Sequence, residues 1–254
     1  MILLATGLSG VVSATVAAGF LALPEARRHA LLPRLVSFAT GTLLGAALLA
    51  LLPHALVGAG AERTHGIGVT LVAGILAFFV LEKLVLWRHC HEDPCEGHSP
   101  QVSARDRAGA WLILWGDGFH NVLDGVLIAA AFMTDPHLGL VTAVAVFAHE
   151  IPQEVGDLAV LLQGGMRRRQ ALGLNLAISL TSMLGATAAW YAFSTVQHLL
   201  PYALAIAAAS FLYVAVADLI PGLHRRTDPG TSLEQVALIL AGIAVTWLSH
   251  RLAH

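Results

Sequence analysis

Long apolar stretches separated by short polar segments run along the whole chain. A membrane-spanning α-helix needs about 20 mainly apolar residues, and eight stretches of this kind can be read in the sequence. They cover approximately residues 3–23, 35–57, 68–86, 108–132, 138–162, 171–196, 202–219 and 233–252. The pattern predicts an all-α membrane protein with eight transmembrane helices, in which residues 1–254 form one transmembrane domain with no room for a soluble one.

The composition agrees with this interpretation. Hydrophobic residues make up 57% of the chain and charged residues 12%, whereas soluble domains carry about 25% charged residues. A net charge of −2 provides no basic surface for nucleic acid, and there is no phosphate-binding loop for a nucleotide. The expected surroundings are therefore the lipid bilayer, with neither nucleic acid nor nucleotide as a partner.

The arginine distribution predicts the orientation in the membrane. Basic residues follow the first, third, fifth and seventh stretches, at Arg27, Arg28, Arg34, Arg88, Arg105, Arg107, Arg167, Arg168, Arg169, Arg225 and Arg226. The opposite ends carry only Arg63 and Arg251. Because loops rich in Lys and Arg stay in the cytoplasm, we expect both termini on the outer side of the cell inner membrane.

A weak internal repeat relates the second and seventh stretches. Residues 39–53 read ATGTLLGAALLALLP and residues 207–221 read AAASFLYVAVADLIP. Both begin with small residues and end in Leu, then Leu or Ile, then Pro. Since the two segments would cross the membrane in opposite directions, the repeat favours an inverted-repeat transporter.

Polar residues interrupt the fourth and fifth stretches near their centres. The fourth contains GDGFHNVLDG, in which one helical face carries Asp117, His120, Asn121 and Asp124. The fifth contains HEIPQEVGD, which carries His149, Glu150, Gln153, Glu154 and Asp157 on two neighbouring rows. A carboxylate near the bilayer centre costs about 2.5–3.5 kcal/mol, so these side chains must face inward. At about 1.5 Å per residue, both histidines reach the membrane midplane.

Imidazole and carboxylate groups are ligands for first-row divalent metals. Two i, i+4 pairs, His120 with Asp124 and His149 with Gln153, predict a four-coordinate site. A second ion would be held by oxygen ligands from Asp124, Glu150 and Asn121. Because an amide binds zinc less tightly than imidazole does, Gln153 predicts a site that releases its metal, as transport requires.

Other interpretations of the same residues stay open. The string HEIPQ is close to the H-E-x-x-H motif of zinc proteases, but the second histidine is missing and Pro152 disrupts the helix. An intramembrane metal-dependent hydrolase, a membrane metal sensor and a buried hydrogen-bond network are the alternatives. Additional candidate pathway groups are Asp117, Glu154, Asp157 and Ser179. The loop over residues 88–107 adds possible metal ligands at His89, Cys90, His91, Cys95 and His98.

At these residues the chain resembles the ZIP family of divalent-metal transporters. GDGFHNVLDGVLIAAAF resembles the fourth-helix motif of the family and HEIPQEVGDLAVLL its fifth-helix motif. The resemblance implies a 3+2+3 inverted-repeat bundle, a homodimer and a binuclear metal site, and Asp117 fits an entry or exit station on the cytoplasmic half of the fourth helix. It implies one metal on His120, Asp124, His149 and the position of Gln153, and another on Asn121, Asp124 and Glu150. The family branch most often has histidine where Gln153 stands, which leaves the metal preference open.

The expected function is transport of a divalent transition metal into the cytoplasm. Zn²⁺ is the first candidate substrate, and Cd²⁺, Fe²⁺ and Mn²⁺ are also possible. A negative-inside potential favours uptake of a dication by about 4.6 kcal/mol per 100 mV, so no ATP is needed and no enzymatic activity is expected. Whether the protein acts as a carrier or a slow channel stays open.

Overall fold

The computed structural model describes residues 1–89, 104–224 and 229–251, and all regular elements in these ranges are helical. We number the helices α1 (Ile2–Leu21), α2 (Glu25–Ala59), α3 (Thr64–His89), α4 (Ala104–Thr134), α5 (Pro136–Gln163), α6 (Arg168–Thr195), α7 (Gln197–Leu223) and α8 (Pro229–Arg251). Six of them, all except α4 and α5, are long and apolar enough to span a membrane by these criteria alone. The all-helical prediction is confirmed, while the eight-span 3+2+3 arrangement stays a prediction.

Several helices extend beyond the predicted apolar stretches, because their terminal turns contain polar residues. Helix α2 begins at Glu25, about ten residues before the apolar stretch does, because its first turns carry charged side chains. Pro24 precedes it with φ of −55°, a value that is compatible with helix entry. Helices α3 and α4 also extend beyond their apolar stretches, to His89 and from Ala104 respectively. Helix α5 continues through Pro152.

The helices pack in two groups. Helices α1, α4, α5 and α6 pack mainly on one another, and we call this group the metal bundle; helices α2, α3, α7 and α8 form the frame bundle. Glycines allow the closest approaches inside each group. A Cβ on Gly125 of α4 would overlap the carbonyl oxygen of Ser182 in α6, and a Cβ on Gly41 of α2 would overlap that of Ile239 in α8. Among the described residues, every glycine contact this close is between helices of the same bundle, and such contacts occur in both bundles.

Helices α2 and α7 each contain a wider π-helical segment. These segments cover Ala46–Leu51 and Val214–Leu219, and they occupy equivalent positions in the repeat of residues 39–53 and 207–221. In both cases a proline, Pro53 or Pro221, follows two residues later. Because proline has no N–H and clashes with the carbonyl four residues before it, the preceding turn is a favourable place for the helix to widen. The shared irregularity supports the repeat that the sequence suggests.

An apolar core closes the end of the molecule that carries the N-terminus. It joins both bundles through fully buried side chains, among them Leu51, Ile67, Leu138, Leu204 and Phe211. This core lies on the side that the arginine distribution predicts to be outside the cell. The polar residues of α4 and α5 therefore lie beneath a packed apolar layer.

Candidate metal centre

Four predicted ligands from two neighbouring helices meet at one point. His120 and Asp124 of α4 and His149 and Glu150 of α5 each offer a ligand atom, and these atoms all lie within 4.8 Å of one another. His149 Nε2 is 3.3 Å from Asp124 Oδ2 and 3.3 Å from His120 Nε2. Glu150 Oε1 is 3.7 Å from the Nε2 atoms of both histidines. This geometry gathers two imidazoles and two carboxylates around a space of the size that one metal ion needs.

The hydrogen bond of His149 orients its imidazole for metal binding. Its Nδ1 lies 3.1 Å from the main-chain oxygen of Ala145, and a carbonyl oxygen can only accept a hydrogen bond. Nδ1 is therefore the donor in this hydrogen bond, and the other ring nitrogen, Nε2, points into the cluster. This is the arrangement in which a backbone carbonyl sets the tautomer of a metal-binding histidine. The centre of the Phe211 ring lies 5.9 Å from the centre of the His149 ring.

The carboxylates of the cluster are deeply buried, and the two imidazoles are the charge partners that the structure gives them. Asp124 is 1% exposed and Glu150 is 2% exposed. Asp124 Oδ2 and both Glu150 oxygens have no hydrogen-bond partner among the residues that the structure describes. An unpaired buried charge is strongly unfavourable, whereas a divalent cation would neutralise both groups at once. These orphan oxygens are the clearest indication that the cluster is a binding site.

The two amide side chains predicted as ligands lie beside the cluster and contact Asp117. Asn121 Nδ2 donates to the Asp117 main-chain oxygen at 3.2 Å and to its Oδ1 at 3.0 Å. Gln153 Nε2 donates to the same Oδ1 at 3.2 Å. Since each amide uses its nitrogen in this way, only its carbonyl oxygen is left as a potential metal ligand.

A cavity of about 510 Å³ extends from the cluster. His120 and His149 line it at one end, and Asp117, Gln153 and Asp157 line it further along α4 and α5. The rest of its wall is mostly apolar. It comes partly from α4 and α5 themselves, at Gly116, Phe119, Leu123 and Pro152, and partly from the frame bundle, at Leu32, Val36, Phe78, Leu81, Tyr213, Val214 and Leu219. The frame-bundle residues near its far end belong to helix ends that the arginine distribution predicts to be cytoplasmic. His120, whose side chain is 21% exposed, lines this cavity.

Glu154 and Ser179, both predicted as pathway groups, lie in the interface between α5 and α6. Glu154 is completely buried and accepts hydrogen bonds from Asn175 Nδ2 and Ser179 Oγ. Neither Glu154 nor Ser179 lines the cavity. Asn175 was not singled out from the sequence, although its i, i+4 spacing to Ser179 within an apolar helix is a usable signal. The pathway role of Glu154 and Ser179 stays a prediction.

The predicted loop ligands fall almost entirely outside the described residues. Cys90, His91, Cys95 and His98 belong to residues 90–103, of which the structure gives no description. His89 ends helix α3, and its side chain is also outside the description.

The fold and the cluster together define an all-helical membrane protein with a buried centre of metal-ligand type. Comparison with known proteins gives the family: the profile of the family described as ZIP Zinc transporter matches residues 87–249. The chain belongs to the ZIP family. It is 36% identical over 226 residues to zinc transporter ZIP13 of Pongo abelii, and 31% identical over 257 residues to ZIP13 of Homo sapiens. It is 32% identical over 289 residues to zinc transporter ZIP5 of Homo sapiens.

These matches cover most of this chain but not all of each relative. They include 84% of this chain for both ZIP13 proteins and 87% for ZIP5. The matched parts represent 65% and 69% of the ZIP13 chains and 54% of the ZIP5 chain. The relatives are therefore longer proteins, and each match covers only a part of the relative.

Proposed function

We propose that this protein carries divalent transition-metal cations, zinc first among them, across the cell inner membrane into the cytoplasm. The observation that carries the proposal is the buried cluster of His120, Asp124, His149 and Glu150, whose carboxylate oxygens without hydrogen-bond partners among the described residues suit a cation. Family membership supports the same conclusion, because the matching profile and the named relatives are those of zinc transporters. Cadmium, iron and manganese are further candidate substrates, since the ligand set accepts all of them.

The same residues support a binuclear site. The imidazoles of His120 and His149 are suited to hold one ion together with Asp124. The carboxylates of Asp124 and Glu150 each have two oxygens, so they can also bridge to a second ion nearby, with Asn121 contributing its amide oxygen. The predicted contribution of Gln153 is likewise limited to its oxygen, because its nitrogen donates to Asp117. A site completed by a neutral amide holds zinc less tightly and releases it more readily than one completed by imidazole.

The proposed uptake into the cytoplasm is consistent with the difference in access between the two sides of the cluster. The apolar core around Leu138, Leu204 and Phe211 covers the cluster on the predicted outer side, while the cavity leads toward the predicted cytoplasmic side. We interpret this conformation as inward-facing. A rigid-body shift of the metal bundle against the frame bundle would open the opposite side, and the close glycine contacts inside each bundle would keep each one intact during that shift.

Metal uptake into proteoliposomes tests the proposal. The purified chain, reconstituted without ATP, is compared with His120→Ala and Glu150→Ala for uptake of Zn²⁺, Cd²⁺, Fe²⁺ and Mn²⁺. The control is Glu62→Gln, which changes an exposed carboxylate in the connection between α2 and α3. We expect saturable uptake that both cluster variants abolish and the control retains.

Two results would contradict the proposal. No uptake by the native chain, despite stoichiometric zinc binding that is lost in both cluster variants, would favour a membrane metal sensor. Zinc-dependent cleavage of a membrane peptide would favour the hydrolase alternative, which the family match does not support. Crosslinking in native membranes would test the expected homodimer separately.

A further inference from the structure

Asp117 presents one carboxylate oxygen that has no hydrogen-bond partner among the described residues. It lies on α4 one turn from His120, toward the predicted cytoplasmic side, and is 5% exposed. Its Oδ1 accepts hydrogen bonds from Asn121 Nδ2 at 3.0 Å and from Gln153 Nε2 at 3.2 Å. Its Oδ2 is buried and has no hydrogen-bond partner in the described part of the chain. The two amides thus hold the carboxylate in place while Oδ2 stays available.

A second carboxylate with the same property lies on the neighbouring helix. Asp157 follows Gln153 by one turn of α5, so the two share a helical face. Asp157 lines the same cavity as Asp117, and its Oδ2 is likewise buried without a partner among the described residues. Two carboxylates, each with one buried oxygen that has no partner among the described residues, repel each other when they line the same cavity. A divalent cation between them removes both the repulsion and the desolvation penalty.

We propose that Asp117 and Asp157 form a second cation site, separate from the histidine cluster and nearer to the cytoplasm. It rests on the proposed transport function, because it would receive the metal as the ion leaves His120 and His149. The site offers carboxylate oxygens and cavity water but no imidazole. An all-oxygen ligand set discriminates less between divalent metals than imidazole does and suits manganese as well as zinc. Because the site has no imidazole ligand, it binds the ion more weakly than the histidine cluster does. Weaker binding favours onward release of the ion.

The competing explanation is that Asp117 is a neutral acid with only a structural role. Asparagine has nearly the shape of a protonated aspartate and can still accept hydrogen bonds from Gln153 and Asn121. It cannot supply a carboxylate to a metal. Asp117→Asn therefore separates the two explanations without leaving a gap in the packing.

The test is metal binding by the purified full chain in detergent micelles. Equilibrium dialysis against Zn²⁺ and, separately, Mn²⁺ measures the number of ions per chain and their affinities. We expect the native protein and the control Glu62→Gln to bind one weakly held ion beyond the two proposed for the histidine cluster. Asp117→Asn should bind one ion fewer per chain and keep the ions that His120→Ala and Glu150→Ala affect, and Asp157→Asn should weaken binding of the same further ion at least tenfold. Undiminished weaker binding in Asp117→Asn would overturn the proposal.

A stability measurement excludes a purely structural explanation. With metal removed by a chelator, the melting temperature of Asp117→Asn should equal or exceed that of the native chain, because an unpaired buried charge has been removed. A lower melting temperature of the metal-free variant would show that Asp117 is a structural group and would also overturn the proposal.

Uptake measurements separate this inference from the proposed function. We expect Asp117→Asn to lower the maximal rate of zinc uptake by tenfold or more. If native uptake depends on His120 and Glu150 but not on Asp117, the second site is refuted and the transport function stands. If the native chain does not transport but Asp117→Asn still loses a class of bound metal, the transport function is refuted and the site stands.

Discussion

The contact between α4 and α6 offers a test of whether helix packing holds the metal ligands in place. Gly185 of α6 lies so close to α4 that a Cβ there would overlap the carbonyl oxygen of Val122. That oxygen belongs to the backbone and cannot rotate away. In the Gly185→Ala variant the two helices must therefore separate by on the order of 1 Å, in an interior that is already close-packed.

The loss of stability can be stated relative to a matched control on the same helix. Overpacking of this kind costs about 1–3 kcal/mol, and the higher helix propensity of alanine offsets about 1 kcal/mol of it. Gly173 is exposed in α6 and would place its Cβ against no atom within 4 Å. Gly173→Ala therefore gains the propensity without the overlap. We expect Gly185→Ala to be less stable than Gly173→Ala by about 1–3 kcal/mol.

The same displacement should weaken metal binding. Val122 lies between the predicted ligands Asn121 and Asp124 on α4, so that a shift of its backbone moves both side chains relative to His149. Ligand distances in metal sites are held to within about 0.2 Å. Disturbing the supporting groups around such ligands reduces affinity by about 10–100-fold, and we expect a zinc affinity reduced by that factor.

Thermal unfolding in micelles, with and without zinc, measures both effects. For a chain of this length 1 kcal/mol corresponds to about 2–4 °C in melting temperature. Gly185→Ala should melt several degrees below Gly173→Ala and show a smaller increase on zinc addition. Equal melting temperatures for the two variants would refute the packing argument. A lower melting temperature with native zinc affinity would refute the link between packing and the site.

Three further substitutions test single contacts. In Glu154→Gln an NH2 group replaces one of the two carboxylate oxygens that accept hydrogen bonds from Asn175 and Ser179. One of these hydrogen bonds is therefore lost, and the melting temperature should fall by an amount that corresponds to about 1–3 kcal/mol. Gln153→His adds an imidazole beside the cluster and should raise the preference for zinc over manganese in competition uptake; an unchanged ratio would argue against any contact of this position with the metal. Glu150→Gln should abolish the stabilisation of about 2.7 kcal/mol that zinc at 100 times its Kd gives the native chain, as measured by melting with and without the metal.

The position of the metal cluster could be predicted because two simple regularities determine it. Helical spacing places His120 and Asp124 on one face of α4, and the cost of charge in lipid turns that face inward. The same argument applies to His149 and Glu150 on α5. Since the two helices are neighbours in an antiparallel pair, equal depth in the membrane brings their faces together, and the structure shows these four residues in contact.

The contacts that depend on side-chain orientation could not be predicted in this way. The spacing of Gln153 pairs it with His149, yet its nitrogen donates to Asp117 on the other helix. The spacing of Glu154 places it in the inward-facing row, but Asn175 and Ser179 of α6 bind it away from the cavity. Both outcomes depend on which third helix packs against the pair, and no local pattern in α4 or α5 contains that information.

If the protein transports metal as proposed, the division between the two bundles would let access to the cluster change while the cluster itself stays intact. All four residues of the cluster belong to α4 and α5 of the metal bundle. In the same bundle, α6 packs closely on the backbone of α4 at Gly125 and Gly185. The cavity, in contrast, is completed by side chains of the frame bundle, including Tyr213 and Val214 at the π-helical segment of α7. Sliding one bundle along the other would therefore rebuild the cavity wall without altering the distances between ligands. A metal ion could then remain bound during the conformational change and lose its enclosure only at the end.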